Sequence, residues 1–211
     1  MDIDTYEGLK ESIADWLMRS DLDTQIPKFI TLAEARLNKR VRHRDMESTE
    51  SLTLDSSGSA PLPSGYLEWR LLTVNTTPRA HPEFVEPDSR EFLFRYRPYS
   101  VPQYFTILGD QIRVQPATEE SATLIYYSKL SPLSDASPTN WLLERSPESY
   151  LYASLIEASA FLHSPEDVKA TYVALFDNAV GELMQDSRAA RVGREPPVPN
   201  PLAGKTEETV R

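Results

Sequence analysis

Cysteine is absent from this chain of 211 residues, and histidine occurs only three times. The absence of cysteine excludes disulfide bonds, thiol nucleophiles and thiolate ligands for zinc or iron–sulfur clusters. His43, His81 and His163 also lack the four-residue spacing of a helical metal-binding motif. These counts leave a site of carboxylates alone open, such as Asp2, Asp4, Asp21 and Asp23, but the glycine-pivoted loop of a calcium site is missing. We therefore predict no metal and no cofactor.

Glycine is scarce as well. None of the seven glycines belongs to a G-x-x-x-x-G-K or G-x-G-x-x-G motif that would bring backbone amides close to phosphate, and no G-x-S-x-G elbow is present. The acid pairs in "TEES" (residues 118–121) and "SPED" (164–167) would suit glycoside hydrolysis, but an acidic surface supplies such pairs by chance. We predict that the chain is not an enzyme and keep glycan hydrolysis as an alternative.

Long apolar runs are missing too. No stretch approaches the roughly 20 apolar residues of a membrane helix, and the acidic start "MDIDTYEGLK" does not have the pattern of a signal peptide. An apolar content of 40% nevertheless suffices for a hydrophobic core. We expect a soluble protein that is made in a cytoplasm.

Charge is the feature that varies most along the chain. The net charge of −10 argues against general affinity for nucleic acid, yet "RLNKRVRHR" (residues 36–44) has five basic and no acidic residues. A solvated helix end explains this basic block as well as contact with an acidic partner does. Among partners, we favour an acidic protein surface over DNA. The candidate contact residues are Arg36, Lys39, Arg40, Arg42 and Arg44.

Helical periodicity dominates both ends of the chain. Residues 1–47 predict a helical hairpin: one apolar stripe contains Tyr6, Leu9, Ile13, Trp16 and Leu17, and Thr5 or Asp4 caps that helix. The second helix is expected to begin near Asp23 or Thr24. Residues 132–189 predict a linker loop and a second pair of helices, which start at "SPES" and "SPED" with serine as the N-cap.

The middle of the chain has the alternating pattern of strands. Residues 48–131 predict a β-rich insertion domain with a short helix, and Gly109 and Asp110 predict a hairpin turn. The fold class predicted from these patterns is α+β: a four-helix bundle from both chain termini, a β-rich insertion and an extended Pro-rich C-terminal tail. That tail spans residues 190–211, and its composition predicts an extended segment.

The stretch "SDASPTNWLLERSPESYLY" (residues 134–152) connects the insertion to the last helices. Its serines and acids have no nearby histidine or glycine elbow to activate them, so we interpret it as a structural joint. Trp141, Leu142 and Leu143 are predicted to fill apolar surface where the insertion meets the bundle, and Ser146 is predicted to cap the returning helix.

Several linked segments in this order resemble a known family. They are "QIPKFITLAEARLNKRVRHRDME" (25–47), "LPSGYLEWRLLTV" (62–74), "YFTILGDQIRVQP" (104–116) and "IYYSKLSPLSDASPTNWLLERSPESYLYASLIEASAFL" (125–162). Together they resemble the head-to-tail adaptor (connector) proteins of short-tailed bacteriophages over most of residues 5–187. The tail after residue 190 carries little of the family pattern.

The resemblance implies a structural virion protein at the head–tail interface, assembled in the host cytoplasm. Such proteins form a ring, commonly of twelve subunits, that joins the portal protein to the tail nozzle and tail fibres. DNA passes through the channel without specific binding, and no membrane is involved. The C-terminal extension of relatives often reaches the portal, which makes the tail a candidate portal contact through Pro196, Pro197, Val198, Pro199, Pro201 and Leu202.

Two other functions remain as alternatives. A tail-associated glycan hydrolase would use the acid pairs, and a DNA-binding accessory protein would use the basic block. Sugar release that depends on particular carboxylates would favour the first. A steep salt dependence of DNA binding, abolished by neutralising Arg36, Lys39 and Arg40, would favour the second.

Overall fold

The structure is a computed structural model that describes residues 3–93 and 101–192. Within these ranges, helices occupy both ends of the chain and strands form most of the middle. The helices are α1 (Tyr6–Leu17), α2 (Ile26–Arg40), α3 (Arg90–Leu93), α4 (Trp141–Arg145), α5 (Pro147–Phe161) and α6 (Glu166–Val192). The strands are β1 (Glu47–Thr53), β2 (Ser59–Pro61), β3 (Tyr66–Val74), β4 (Glu83–Phe84), β5 (Tyr104–Leu108), β6 (Gln111–Gln115) and β7 (Ser121–Ser128).

Helix α5 is the centre of the helical layer. It packs against α1, α2, α4 and α6, and buried side chains occur around its whole circumference. The small residues Ala153, Ser154 and Ala158 are fully buried on it, which lets the neighbouring helices approach closely. The helical layer is therefore built around one enclosed helix.

The predicted four-helix bundle from both chain termini is wrong. The described residues contain six helices and two sheets, of three and four strands. In a bundle each helix buries one stripe against a shared core, but α5 is buried on all sides. The apolar stripe of Leu151, Leu155 and Ala158 indicated burial on only one side of α5. Serines occupy much of the other buried surface of this helix, so apolar periodicity did not reveal it. The predicted Pro-rich tail lies outside the described residues.

The strands form two sheets that share a core. One sheet has the antiparallel order β1-β7-β3, and the other has the order β2-β6-β5-β4, in which β4 runs parallel to β5. Side chains from both sheets, including Leu72, Leu124, Phe105 and Ile112, form one buried cluster. The sheets therefore pack face to face.

Strand β7 connects this sheet core to the helical core. Leu124 and Tyr126 belong to the sheet cluster, whereas Tyr127, on the opposite face, belongs to the helical cluster with Leu130 and Leu133. Successive side chains of a strand point to opposite faces, so one strand contributes to both cores. The end of β7 and the linker after it form the junction between helices and sheets.

Several local signals are confirmed. Thr5 caps α1, because its Oγ1 accepts a hydrogen bond from the Gly8 amide at 3.1 Å. The hairpin between β5 and β6 turns at Gly109, which has a φ of 60°. In contrast, α2 begins at Ile26 after Gln25, not at Asp23 or Thr24, and Trp16 of the predicted apolar stripe is 47% exposed.

No helix within residues 3–93 and 101–192 is both long enough and apolar enough to span a membrane.

Candidate functional site

The linker after β7 is fastened to helix α2 by two side chains four residues apart. Asn38 Oδ1 accepts a hydrogen bond from the Leu130 amide at 2.9 Å, and Glu34 Oε1 accepts one from the Leu133 amide at 2.7 Å. Residues four apart lie on one face of a helix, so both reach the same extended segment. These bonds fix the linker against the helical layer.

Asn140 organises the other end of the linker. Its Nδ2 donates to the Ser131 carbonyl at 2.8 Å and to the Tyr150 hydroxyl at 2.7 Å. Its Oδ1 accepts from the Leu143 amide at 3.0 Å and thereby caps α4. The amide group thus joins the linker, α4 and α5 in one buried network.

Burial changes the acid–base properties of this network. Desolvation raises the pKa of Glu34 above its ordinary value, although the Leu133 amide and the Tyr150 hydroxyl oppose the shift. Desolvation likewise raises the pKa of Tyr150, which is fully buried. The Tyr150 hydroxyl lies 3.5 Å from Glu34 Oε1. A carboxyl group is therefore held at the centre of the junction.

The predicted joint residues all lie at this junction. Leu142 and Leu143 are fully buried in the helical core, and Trp141 is partly buried against that core. Trp141 stacks on the imidazole of the buried His43, with ring centroids 5.0 Å apart. Ser146 occupies the N-cap position of α5, but its hydroxyl contacts Glu148 and Ser149 side chains and caps no backbone amide.

An open cleft lies beside the joint. Its volume is about 350 Å³, and it is lined by Asp45, Trp141, Glu144 and Arg145. Arg145 Nε lies 3.1 Å from Asp45 Oδ2, and Arg44 Nε lies 3.5 Å from Asp45 Oδ1. The cleft therefore combines an aromatic ring with charges of both signs. We refer to it as the Trp141 cleft.

Three arginines of the basic block are paired within the chain. Arg36 contacts Glu157 of α5 at 2.5 Å, Arg40 contacts Asp177 of α6 at 2.6 Å, and Arg42 contacts Glu68 of β3 at 2.7 Å. Arg42 also donates to the carbonyl group of Asn38, in the last turn of α2, and to that of Val41, which follows the helix. These ion pairs neutralise much of the positive charge that binding to DNA phosphates or to an acidic partner would require.

The remaining predicted contact residues are not held in ion pairs between distant parts of the chain. Lys39 is exposed and forms no ion pair with any described residue, whereas Arg44 contacts Asp45. The tail contact set, Pro196 to Leu202, lies outside the described residues. Within residues 3–93 and 101–192, no group of three or more histidine or carboxylate side chains is arranged to hold a metal ion.

The sequence patterns did not identify the polar network or the cleft. The position of Glu34 could have indicated a buried polar group. Glu34 lies four residues after Ile30 and three before Leu37, so it falls on the apolar face of α2. Asn140 could have been identified less directly, because asparagine is a common capping residue and here precedes the helical stretch "WLLER". Asp45 could not have been identified, because its partner Arg145 is 100 residues away in sequence.

A second candidate surface lies on the helical layer and is apolar. Trp16 is 47% exposed and touches Tyr152 of α5 and Tyr172 of α6 edge-on. Met18, which ends α1, is 86% exposed and has a φ of 51°, a conformation usually left to glycine. We call Trp16, Met18, Tyr152 and Tyr172 the aromatic surface. Because large contiguous apolar patches mark interaction sites, we treat it as a candidate contact surface.

Comparison with known proteins identifies the family. A family model described as "SU10 adaptor protein" matches residues 4–198, which is most of the chain. A search of curated proteins found no match. The match covers both helical ends and the sheets between them, and it confirms the resemblance to phage adaptors. The chain belongs to the SU10 adaptor protein family and is a phage head–tail adaptor.

Proposed function

We propose that the protein is a ring-forming structural adaptor that joins the portal protein to the tail nozzle and tail fibres. Membership of the SU10 adaptor protein family is the observation that carries this proposal. We assign it to the head–tail interface of the virion, after assembly in the host cytoplasm. In this role the chain carries out no catalysis.

We propose that twelve subunits form the ring and that the aromatic surface supplies part of the contact between neighbours. Ring closure requires a heterologous contact, in which one face of a subunit meets a different face of the next. Trp16 and Met18 are exposed large apolar side chains on one end of α1, so their burial by a second copy would be favourable. Met18 would contribute about 1.5–3 kcal/mol if buried fully, whereas Trp16 would contribute only through the half of its surface that is still exposed.

The basic block has a reduced role in this proposal. Arg36, Arg40 and Arg42 hold carboxylates of their own chain, so they stabilise the subunit. Lys39 and Arg44 are the members that we propose for contact with an acidic neighbour or with the portal. With a net charge of −10, the channel would let DNA pass without holding its phosphates.

We also propose that the tail contacts the portal through Pro196, Pro197, Val198, Pro199, Pro201 and Leu202. Proline-rich segments bind partners at a low entropic cost, because their extended conformation is already favoured. Since α6 continues to Val192, a truncation after residue 192 removes this segment and leaves the described helix intact.

Co-purification with the portal protein tests this proposal. The full chain should retain portal protein on an affinity resin, and the chain truncated after residue 192 should retain much less. Trp16→Ser with Met18→Ser should leave portal binding by single subunits intact but abolish higher assemblies. Failure of the full chain to bind portal at any concentration would contradict the proposed function.

A further inference from the structure

One edge strand of the sheets lacks the features that usually protect such strands. The edge strands are β1, β3, β2 and β4. β2 has three residues and β4 has two, and the pairing of β3 with β7 shifts register twice, once after Tyr66 and once after Trp69. Short length and bulges keep an edge from pairing with another chain. β1 has seven residues and pairs with β7 without any shift.

Hydrogen bonds at the two ends of β7 show which way its backbone groups point. The Lys129 amide donates to the Gly65 carbonyl at 2.8 Å. At the other end, the Ser121 carbonyl accepts from the Asn75 amide at 2.9 Å. Gly65 and Asn75 flank β3, so the odd-numbered residues of β7 point to β3. Since backbone groups alternate in direction along a strand, the even-numbered residues of β7 point to β1.

This direction leaves backbone groups on the other side of β1 without a partner strand. Ser48, Glu50 and Leu52 oppose even-numbered residues of β7, so they bond to that strand. The amide and carbonyl groups of Thr49 and Ser51 therefore point away from it. Both residues are exposed, and outside β7 no backbone group of residues 3–93 and 101–192 bonds to either of them. β1 can therefore receive a further strand.

The charge of β1 selects the kind of strand that it can receive. Glu50 is exposed at the middle of the edge, where its carboxylate accepts only a long hydrogen bond of 3.4 Å from the Tyr126 hydroxyl among the described residues. A second copy of β1 in the centred antiparallel register would place Glu50 opposite Glu50, and like charges directly opposite each other are destabilising. A cation in that position would be favourable, because residues opposite Glu50 form a non-hydrogen-bonded pair, in which side chains are closest.

We propose that β1 binds an extended segment of a partner protein as an added antiparallel strand, with a lysine or arginine of that segment opposite Glu50. An apolar residue of the segment would lie opposite Leu52, which is buried on the same face of β1. The proposal goes beyond the adaptor role and needs neither a ring nor the portal. Its test uses the full chain alone, so its failure would leave the proposed function untouched.

A blocked synthetic heptapeptide, Thr-Val-Thr-Lys-Thr-Thr-Ser, is the probe. Antiparallel pairing that places its lysine opposite Glu50 also places its valine opposite Leu52. In NMR spectra of the isotope-labelled protein, the peptide should shift the amide resonances of Thr49 and Ser51. It should also slow their hydrogen exchange about ten-fold once about 90% of the edge is occupied. Unchanged resonances of both residues at millimolar peptide would overturn the proposal.

Methylation of peptide nitrogens tests the backbone pairing without any change in the protein. Methyl groups on the third and fifth residues block the amides that would face Thr49 and Ser51, so this peptide should not bind. Methyl groups on the second and fourth residues lie on the other side of the added strand and should leave binding intact. Equal binding of the two methylated peptides would overturn the proposal.

Ser51→Pro is the corresponding change in the protein. It removes an outward amide and no bond to β7, and proline is tolerated on the solvent side of an edge strand. Peptide affinity should fall at least about ten-fold, because a main-chain hydrogen bond of the added strand is lost. Ser51→Ala is the matched control, since it keeps the amide and should bind as the parent does. Equal affinities of the two variants would contradict strand addition.

Glu50→Lys tests the choice of partner. This variant should prefer a peptide that has glutamate in place of lysine, whereas the parent should prefer the lysine peptide. The same preference in both proteins would overturn the proposed recognition of a cation. Protection of Thr49 and Ser51 that rises with protein concentration in the absence of peptide would also overturn the proposal, since a second copy would then occupy the edge.

Discussion

Glu34 is a buried carboxyl group whose hydrogen bonds are only partly able to offset its burial. Its pKa is raised, so the folded state binds its proton more tightly than the unfolded state does. The free energy of unfolding therefore falls as the pH rises from below 4.5 through the raised pKa. Above that range the destabilisation is constant.

Glu34→Gln removes this titration and keeps an oxygen that can accept from the Leu133 amide. We expect the variant to gain stability relative to the parent as the pH rises from 4 to 7, because only the parent must ionise a buried group. Urea unfolding at several pH values measures the difference. Parallel stability profiles for parent and variant would contradict the account.

Leu142 is fully buried in the helical core at the joint. Leu142→Ala should lower the free energy of unfolding by about 2–5 kcal/mol, through lost transfer energy and the cavity left behind. Leu32→Ala is the matched control, because Leu32 is 52% exposed on α2, and it should change stability by at most about 0.5 kcal/mol. Equal losses in the two variants would contradict the assignment of Leu142 to the core.

Trp141 is only partly buried, which limits the cost of its truncation. Truncation of a fully buried tryptophan to alanine lowers the free energy of unfolding by about 3–5 kcal/mol. Trp141 packs against the core on one side and lines the cleft on another, so Trp141→Ala should cost less than that.

Helix α4 illustrates how an element of five residues is held in place. Asn140 supplies its cap through Oδ1 and joins it to the linker and α5 through Nδ2. Since such a short helix has little stability alone, its position depends on these bonds and on the burial of Leu142 and Leu143.

Substitution of Asn140 separates the two roles. Asn140→Ser retains a capping oxygen and loses the amide donor, whereas Asn140→Ala loses both. We expect unfolding free energies in the order parent, serine, alanine, with the alanine variant at least about 1 kcal/mol below the parent. Thermal denaturation ranks the three proteins, and equal stability of the serine and alanine variants would contradict a capping role.

Local signals in the sequence predicted elements better than they predicted the arrangement of elements. The Thr5 cap and the Gly109 turn depend on neighbours within a few residues, so both could be derived correctly. The enclosure of α5 depends on Ser149, Ser154 and Ser159, which are buried but polar. A periodicity of apolar residues cannot identify them, and this is why the bundle prediction was wrong.

At the scale of the whole molecule, the helices and the sheets are two cores joined along one seam. Tyr127, the linker and the Arg42–Glu68 ion pair all cross that seam. The candidate site lies at this seam. The contacts that build it, such as the one between Arg145 and Asp45, join residues that are distant in sequence. Their pairing could not be predicted from the order of residues, although the linker itself was predicted to be a joint.

The family assignment gives the whole molecule its context. Most of the chain matches the SU10 adaptor protein family. An adaptor presents surfaces to several partners, and the aromatic surface is the apolar one that we propose for such a contact.

Particle imaging of the full chain, alone and mixed with the portal protein, shows directly whether the subunits form a ring and bind the portal. We expect closed rings of twelve subunits bound beneath the portal, and loss of the rings when Trp16 and Met18 are both replaced by serine. A protein that stays monomeric at all concentrations and never associates with the portal would contradict the account.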